Sequence, residues 1–353
     1  IKGGKHMKIL NSCPFNLSDE KTRILWEITP RCNMNCKHCL FYQNTKKGIT
    51  KELSIEEVYK IIDNVSKDKN VSAIWISGGE PLLRKDIVEV CKYISSKGIV
   101  PSLSTNGILL DEDLIDKLYS SGVNYIHLSL DGAKAHTHDS LRGVPGSYNK
   151  LMKVMDLLKD SPINTGASFM VTEESVEELE EVVKIAEDKK LSVLSFYLVA
   201  ELGRGAKNFN KDKRSLIEKL SSKIEKIEKN RDKESNLKIE VFRADRPDGN
   251  DNVLQECKGH QFLNITYDGK LGPCPWLMKS EEGFDVGSLL EKDFIELENI
   301  CKNKMKEKIK ERKNNISYCK SCPNNEVCGK GCMALQNLNK GNLYRVDPIC
   351  PTI

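Results

Sequence analysis

Nowhere does the sequence approach the ~20 consecutive apolar residues that a bilayer-spanning helix requires, so no membrane span is expected. An excess of one charge is missing too. The 55 Lys and Arg against 51 Asp and Glu leave +4, too slight to imply a nucleic-acid or anionic-membrane partner. No apolar secretory stretch precedes residue 24, which removes the case for an oxidising compartment and points to the cytoplasm. Internal repeats and low-complexity tracts are absent, which leaves ordinary globular domains. At 353 residues, 39% hydrophobic and 30% charged, the chain can build two or three of them. The opening Ile1–Met7 reads as a tag remnant with Met7 as the native start.

What the chain has in unusual number is cysteine, thirteen in all. Disulfides, metal ligands and scattered core residues are the three readings. Most of these cysteines stand at short, loop-like spacings or in turn-rich surroundings, whereas Cys91 and Cys301 lie within helical patterns. Clustered spacing in a reducing compartment favours metal.

From residue 24 to 199, β-rich runs alternate with amphipathic helical patterns. The expected strands are Ile24–Thr29, Ala73–Ser77, Val100–Ser104, Tyr125–Leu130, Asn164–Val171 and Leu191–Val199. Helical stretches near 54–68, 84–97, 111–121, 147–159 and 173–189 separate them, the first opened by Ser54 and Glu57 at capping-box spacing. This rhythm predicts an α/β fold with parallel pairing through right-handed crossovers. Six units are too few for a closed eight-stranded barrel, so an open, partial (β/α)6 TIM-like barrel is expected, with its active face at the carboxyl ends of the strands. The Lys- and Glu-rich stretch 211–235 reads as a solvated bridging helix. Strand-like Lys238–Phe242 and a hairpin over Phe262–Leu271, turning at Asp268-Gly269, follow, and then loops rich in Cys, Pro, Gly and Asn. The expected division is 1–23 tag remnant and extension, 24–205 barrel, 206–250 bridging helix and strand, and 251–353 a small, loop-rich, cysteine-rich domain. With little apolar core of its own, that last part needs something else to hold it, and metal clusters can.

Directly after the first strand stands Thr29-Pro-Arg-Cys32-Asn-Met-Asn-Cys36-Lys-His-Cys39. Three thiolates on one short loop supply three of the four ligands of a cubane iron–sulfur cluster and leave one iron open. A zinc site would need His38 as its fourth ligand, and adjacent Cys and His strain a tetrahedral site. Ser77-Gly78-Gly79-Glu80-Pro81 follows the second strand, Thr105-Asn106-Gly107 the third, and Ser129-Leu130-Asp131-Gly132 the fourth. His138-Asp139 and Leu141-Arg142-Gly143-Val144-Pro145-Gly146 come next, and Gly203-Arg204-Gly205 after the sixth.

These stretches, in strand-end register with the three-cysteine loop, resemble the radical S-adenosylmethionine (radical SAM) superfamily. The resemblance implies that Cys32, Cys36 and Cys39 hold a [4Fe-4S] cluster whose open iron binds S-adenosyl-L-methionine. Reductive cleavage would then give a 5′-deoxyadenosyl radical that abstracts hydrogen from a substrate. It implies cofactor contacts at Ser77, Gly78, Gly79, Glu80, Ser104, Asn106, Ser129, Asp131, Arg142 and Arg204, with Glu80 on the methionyl ammonium and Arg142 on the methionyl carboxylate. No catalytic residue beyond these is identified.

The order of Cys257, Cys274, Cys319, Cys322, Cys328, Cys332 and Cys350 resembles the seven-cysteine SPASM domain. That resemblance implies two auxiliary [4Fe-4S] clusters, hence three in all. Cys257, Cys274 and Cys332 would hold the first, and Cys319, Cys322, Cys328 and Cys350 the second. A rival zinc site at Cys319, Cys322, Cys328 and Cys332 would strand Cys257, Cys274 and Cys350. Seven thiolates satisfy seven of eight positions, since His260, Gln261 and Leu263 stand where some relatives have another cysteine. The eighth position is expected to be open to a substrate thiolate, or to be filled by His260, Cys13 or Cys301. Cys91 is expected to be packing.

Enzymes with this domain mostly modify peptides or proteins, so the resemblance favours hydrogen abstraction from a peptide, as in thioether or carbon–carbon crosslinking of ribosomal peptides. The peptide would be recognised by the barrel itself or by a separate leader-binding protein, with a flavodoxin or ferredoxin as reductant. A sulfatase maturase is disfavoured because Pro275 follows Cys274 where that kind has an aspartate. The alternative is removal of acetate or carboxylate groups from a tetrapyrrole in haem or haem d1 synthesis, with Arg204, Arg243 and Arg246 on the propionates. A non-catalytic electron carrier would have no use for Gly78, Gly79 and Glu80 beside the cysteine loop.

Overall fold

The computed structural model describes residues 21–40, 52–199, 203–209, 213–232, 234–242, 256–257, 263–280, 284–334, 344, 346–347 and 350. In chain order the elements are β1 (Thr22–Thr29), α1 (Ile55–Val65), β2 (Val71–Gly78), α2 (Ile87–Ser96), β3 (Val100–Thr105), α3 (Glu112–Ser120), β4 (Tyr125–Ser129), α4 (Ala135–Arg142), α5 (Ser147–Lys159), β5 (Asn164–Val171), α6 (Leu179–Asp188), β6 (Val193–Leu198), α7 (Gly205–Asn208), α8 (Lys213–Asn230), β7 (Lys238–Phe242), β8 (Leu263–Ile265), β9 (Lys270–Gly272), α9 (Pro275–Ser280), β10 (Gly287–Ser288) and α10 (Phe294–Asn315).

Strands β1 to β7 pair in sequence order, each parallel to the next, as amphipathic helices between β-rich runs require. This is the expected open, partial barrel. Its parallel sheet runs one strand beyond six, because β7 pairs with β6. Helix α8, expected to be a solvated bridge, is the crossover between them. Leu216, Leu220, Ile224 and Ile227 enter the main core while the Lys and Glu side face water. The capping box at the start of α1 is formed: the Glu57 amide donates to Ser54 Oγ, and the Ser54 amide to Glu57 Oε2. Helix α4, absent from the expected elements, is built from the polar run Ala135–Arg142 and ends at Gly143 in the left-handed region.

The hairpin β8–β9 does not stand alone. Strand β8 pairs parallel with β1, Asn264 opposite Leu25, and continues the barrel sheet into the cysteine-rich third. Leu263, Ile265, Leu271, Leu289, Phe294 and Leu297 share one core with Ile24, Trp26 and Ile28. Among the described residues a small second core, with Cys257, Leu277, Phe284, Met305, Ile309 and Met333, belongs to the C-terminal part alone. Strand alternation sends Ile24, Trp26 and Ile28 to the helix side and Leu25, Glu27 and Thr29 into the barrel lumen. Glu27 lies opposite Ser77, and Ser104 opposite His127, so polar side chains line the lumen below the carboxyl ends. Among the described residues no helix is long and apolar enough to cross a membrane.

Candidate active site

The loop after β1 is clamped from three sides. The amides of Asn35 and Lys37 donate to the carbonyls of Arg142 and Leu141, at 3.1 and 2.8 Å, which seats the loop on the end of α4. The Arg204 amide donates to the Cys39 carbonyl at 3.0 Å, and the Arg204 guanidinium to Asn35 Oδ1. At the entry, the amides of Gly79 and Glu80 donate to the carbonyls of Thr29 and Arg31. A Cβ on Gly78 or Gly79 would collide with those same carbonyls. The glycines therefore admit the chain's own backbone, and this close approach is how the end of β2 grips the cysteine loop.

Within the loop the Met34 amide donates to Cys32 Sγ at 3.4 Å, and Arg142 Nη1 to Cys36 Sγ at 3.7 Å. Burial pushes the Cys32 thiol up to about 12, with the charges of Cys36, Glu80 and Cys39 acting in the same direction. Arg142 also pairs through Nε with Asp131 Oδ2 at 2.8 Å, and His38 Nε2 lies 3.4 Å from the same oxygen. The other Asp131 oxygen accepts from the Met170 amide at 2.9 Å. Burial alone would raise the Asp131 carboxyl, but Arg142, His38 and His138 together hold it below its ordinary value. Burial draws His38 and His138 down to about 4, so both are neutral near pH 7. His38 Nδ1 and His138 Nε2 are buried without hydrogen-bond partners.

Glu80 is 1% exposed. Its Oε1 accepts from Thr105 Oγ1 at 2.6 Å and from the Leu82 amide at 3.1 Å, and its Oε2 from the Asn106 amide at 2.8 Å. Burial raises its carboxyl above the usual range, against these donors. Asn106 Nδ2 donates to Asn33 Oδ1 at 2.8 Å, so the third strand end also touches the loop. The structure thus brings Gly78, Gly79, Glu80, Asn106, Asp131, Arg142 and Arg204 together around Cys32, Cys36 and Cys39. Ser77, Ser104 and Ser129 stand on the lumen side of β2, β3 and β4, below that ring.

Other residues that position this ring carried no signal in the sequence. Glu178 accepts from the amides of Ala133 and Lys134, at 2.7 and 3.2 Å, and from Thr137 Oγ1 at 2.6 Å, which fixes the turn after Asp131. Nothing in the acidic run Glu173–Glu181 marks the one carboxylate that turns inward. In the lumen, Glu27 accepts from Asn264 Nδ2 at 3.0 Å and pairs with Lys279 Nζ at 2.9 Å, joining β1 to α9 just beyond Cys274. His127 shares a hydrogen bond of 3.1 Å with Tyr125, in space that Gly166 leaves free.

The twelve described cysteines form no disulfide among themselves. In the C-terminal part, the Cys319 thiol lies in the field of Cys350, Cys328 and Cys322, and the Cys274 thiol in that of Cys257 and Cys301. The Lys330 amide donates to Cys328 Sγ at 3.4 Å, and the Cys332 amide to Asp347 Oδ2 at 3.0 Å. Buried Arg312 donates to the carbonyls of Lys330 and Gly331, directly before Cys332. Among the described residues no three Cys, His, Asp or Glu side chains converge on a single metal ion. The thiols are free and buried or half-buried, and Cys328 already accepts an N–H donor, features that suit iron–sulfur ligands. Cys13, Arg243, Arg246, His260 and Gln261 lie outside the described residues.

A family profile described as the Radical SAM superfamily matches residues 26–186, and one described as SPASM, an iron–sulfur cluster-binding domain, matches residues 257–323. The chain is 27% identical to an Fe-coproporphyrin III synthase of Methanosarcina barkeri, over 99% of this chain and 93% of that protein. It is 24% identical to a PqqA peptide cyclase of Granulibacter bethesdensis, over 93% of this chain and 86% of that one. The crystal structure of Streptococcus suis SuiB bound to its precursor peptide SuiA shares the fold, with TM-score 0.75 and 18% identity, over 94% of this chain and 76% of SuiB.

Proposed function

We propose, from the premise that this chain belongs to the radical SAM superfamily and carries a SPASM iron–sulfur domain, that its substrate is a carboxylate-bearing tetrapyrrole. The chain is an enzyme of radical chemistry, served by S-adenosylmethionine and iron–sulfur clusters. The observation that carries the substrate is the likeness to the Fe-coproporphyrin III synthase, which spans nearly the whole of both chains and so includes the substrate-facing lumen.

When bound at Cys32, Cys36 and Cys39, the cluster and S-adenosylmethionine supply a 5′-deoxyadenosyl radical. The protein does the rest. Gly78 and Gly79 seat the cysteine loop, and Asp131 and Arg142 hold it against α4. Glu80 and Asn106 present polar groups at the strand ends, where the methionyl moiety would sit. Two auxiliary clusters, at Cys257, Cys274 and Cys332 and at Cys319, Cys322, Cys328 and Cys350, bring the total to three, with a flavodoxin or ferredoxin as electron donor.

The likeness to a PqqA peptide cyclase favours a second reading, carbon–carbon or thioether crosslinking of a peptide presented by a separate leader-binding protein. Anaerobic incubation with S-adenosylmethionine separates the two. One sample receives iron-bound tetrapyrroles bearing acetate and propionate groups, the other peptides encoded beside the gene. Loss of a whole acetate group or of carbon dioxide from the tetrapyrrole supports the first reading. Loss of hydrogen from a peptide, with the tetrapyrrole unchanged, replaces it with the second.

A further inference from the structure

Below the ring of strand-end residues, the lumen face of the barrel carries a polar row. Register sets Ser129 opposite Ser168, Ser168 opposite Ser195, and Ser195 opposite Glu240, one residue from each of β4, β5, β6 and β7. Their chain neighbours Leu128, Phe169, Phe196 and Val241 pack in the main core on the helix side, so the row itself faces the lumen. Ser129 and Ser168 are half-buried, as are Met170 and Tyr197 two residues further along the same face, which leaves the lumen open beside the row.

Glu240 ends the row on β7, the last strand of the sheet, at the opening of the barrel. It is 5% exposed. Its Oε2 accepts from Ser195 Oγ at 3.1 Å, while its Oε1 is buried with no hydrogen-bond partner. Glu27, on the lumen face of β1, differs: Asn264 holds one of its oxygens and Lys279 the other. A buried polar atom left unpaired costs stability, and a ligand that completes it is a reason for a fold to keep it. Burial also raises the Glu240 carboxyl above its ordinary range, against the Ser195 hydroxyl and the charge of Lys238, which favours the protonated acid. In that form the unpaired oxygen is a donor facing the lumen. At about 4.8 Å per strand, three steps put Glu240 roughly 14 Å along the sheet from Ser129, the expected cofactor contact. A group held at Glu240 is therefore remote from the radical source.

We propose, resting on the tetrapyrrole reading, that Glu240 is a substrate anchor whose carboxyl O–H donates to a substrate carboxylate other than the one attacked. No bond is made or broken at this end. The contact fixes how the macrocycle lies across the row, and so which of its side chains meets the radical.

The test compares full-length, cluster-loaded enzyme with Glu240→Gln and with the double variant Glu240→Leu/Ser195→Ala, in which no buried hydroxyl loses its acceptor. Binding of an iron-bound tetrapyrrole bearing acetate and propionate groups is followed by its visible absorbance. 5′-Deoxyadenosine and modified tetrapyrrole are then counted in the same samples, and melting temperatures are measured. Glu240→Gln keeps an N–H donor and should bind nearly as the parent does. The double variant should bind about ten- to a hundredfold more weakly. It should also form more 5′-deoxyadenosine per modified tetrapyrrole, at an unchanged melting temperature. Glu240→Gln as weak as the double variant would mean that Glu240 acts as an ion, and overturns the proposal. A double variant that binds like the parent overturns it too, as does one whose lost binding comes with a lost melting temperature. A parent that binds no tetrapyrrole overturns the substrate reading, and the anchor with it.

Discussion

Gly79 has no room for a methyl group, because the space belongs to the Arg31 carbonyl. Gly79→Ala should therefore push β2 off the cysteine loop, and purified protein should lose most of the iron and sulfide of its first cluster. Gly98 has positive φ but open space around it. Gly98→Ala should cost only about 1–2 kcal/mol of left-handed strain, read by urea unfolding, with cluster content unchanged. Three histidines draw the pH dependence one way and the raised Glu80 carboxyl, which binds its proton more readily when folded, the other. Burial draws His38, His127 and His138 to about 4, against an ordinary value near 6.5. Between those values the unfolded imidazoles bind protons that the folded ones refuse, so acid favours unfolding. Stability should fall as pH drops from about 6.5 toward 4, at up to about 1.4 kcal/mol per pH unit for each histidine. Asp131, held low instead, contributes at every pH above its ordinary range and loses that only in stronger acid. A urea midpoint unchanged from pH 7 to pH 5 would contradict the histidine account. At this scale the sequence displays the ring members themselves, from Gly78 to Arg204, because their spacing and strand-end positions are local facts. It does not display what they touch. Glu80 accepts from Thr105, Leu82 and Asn106, and Arg204 lies on Asn35, pairings that only the folded backbone brings about.

Helix α10 illustrates what patterning conveys at the scale of an element and where it stops. Its run of Lys and Glu conceals a narrow buried stripe that ends at Arg312, which is 1% exposed. Removing that guanidinium leaves the carbonyls of Lys330 and Gly331 without their donor, at about 1–3 kcal/mol for each buried group. Arg312→Leu should consequently shed auxiliary iron while the cluster at Cys32, Cys36 and Cys39 persists, as iron content and S-adenosylmethionine binding would show. Equal retention of all iron would refute the assignment. Helix α1 was legible to its first residue, because a capping box is written in four consecutive positions. The hairpin β8–β9 was legible as a hairpin from Asp268-Gly269, but its pairing with β1 was not. That contact joins residues more than two hundred positions apart, and alternation within β8 does not name its neighbour. Helix α4 escaped for the opposite reason: Ala135–Arg142 has little apolar periodicity, and its place is set by the turn that Glu178 holds.

Over the whole molecule, the barrel and the cysteine-rich third share one sheet and one large core, so neither half closes without the other. Truncation after residue 250 would bare the edge of β1 together with Ile24 and Trp26, and the remaining barrel should aggregate or unfold at markedly lower temperature. A truncated protein with the melting point of the full chain would contradict this coupling. The same continuity places Lys279, carried by the segment after Cys274, against Glu27 in the lumen. The most direct measurement is isotope transfer from an iron-bound tetrapyrrole deuterated along its carboxylate-bearing side chains, incubated anaerobically with reduced enzyme and S-adenosylmethionine. Deuterium in the recovered 5′-deoxyadenosine, accompanied by loss of acetate or carbon dioxide from the tetrapyrrole, is the predicted result. Formation of 5′-deoxyadenosine with no deuterium and an intact tetrapyrrole would contradict it.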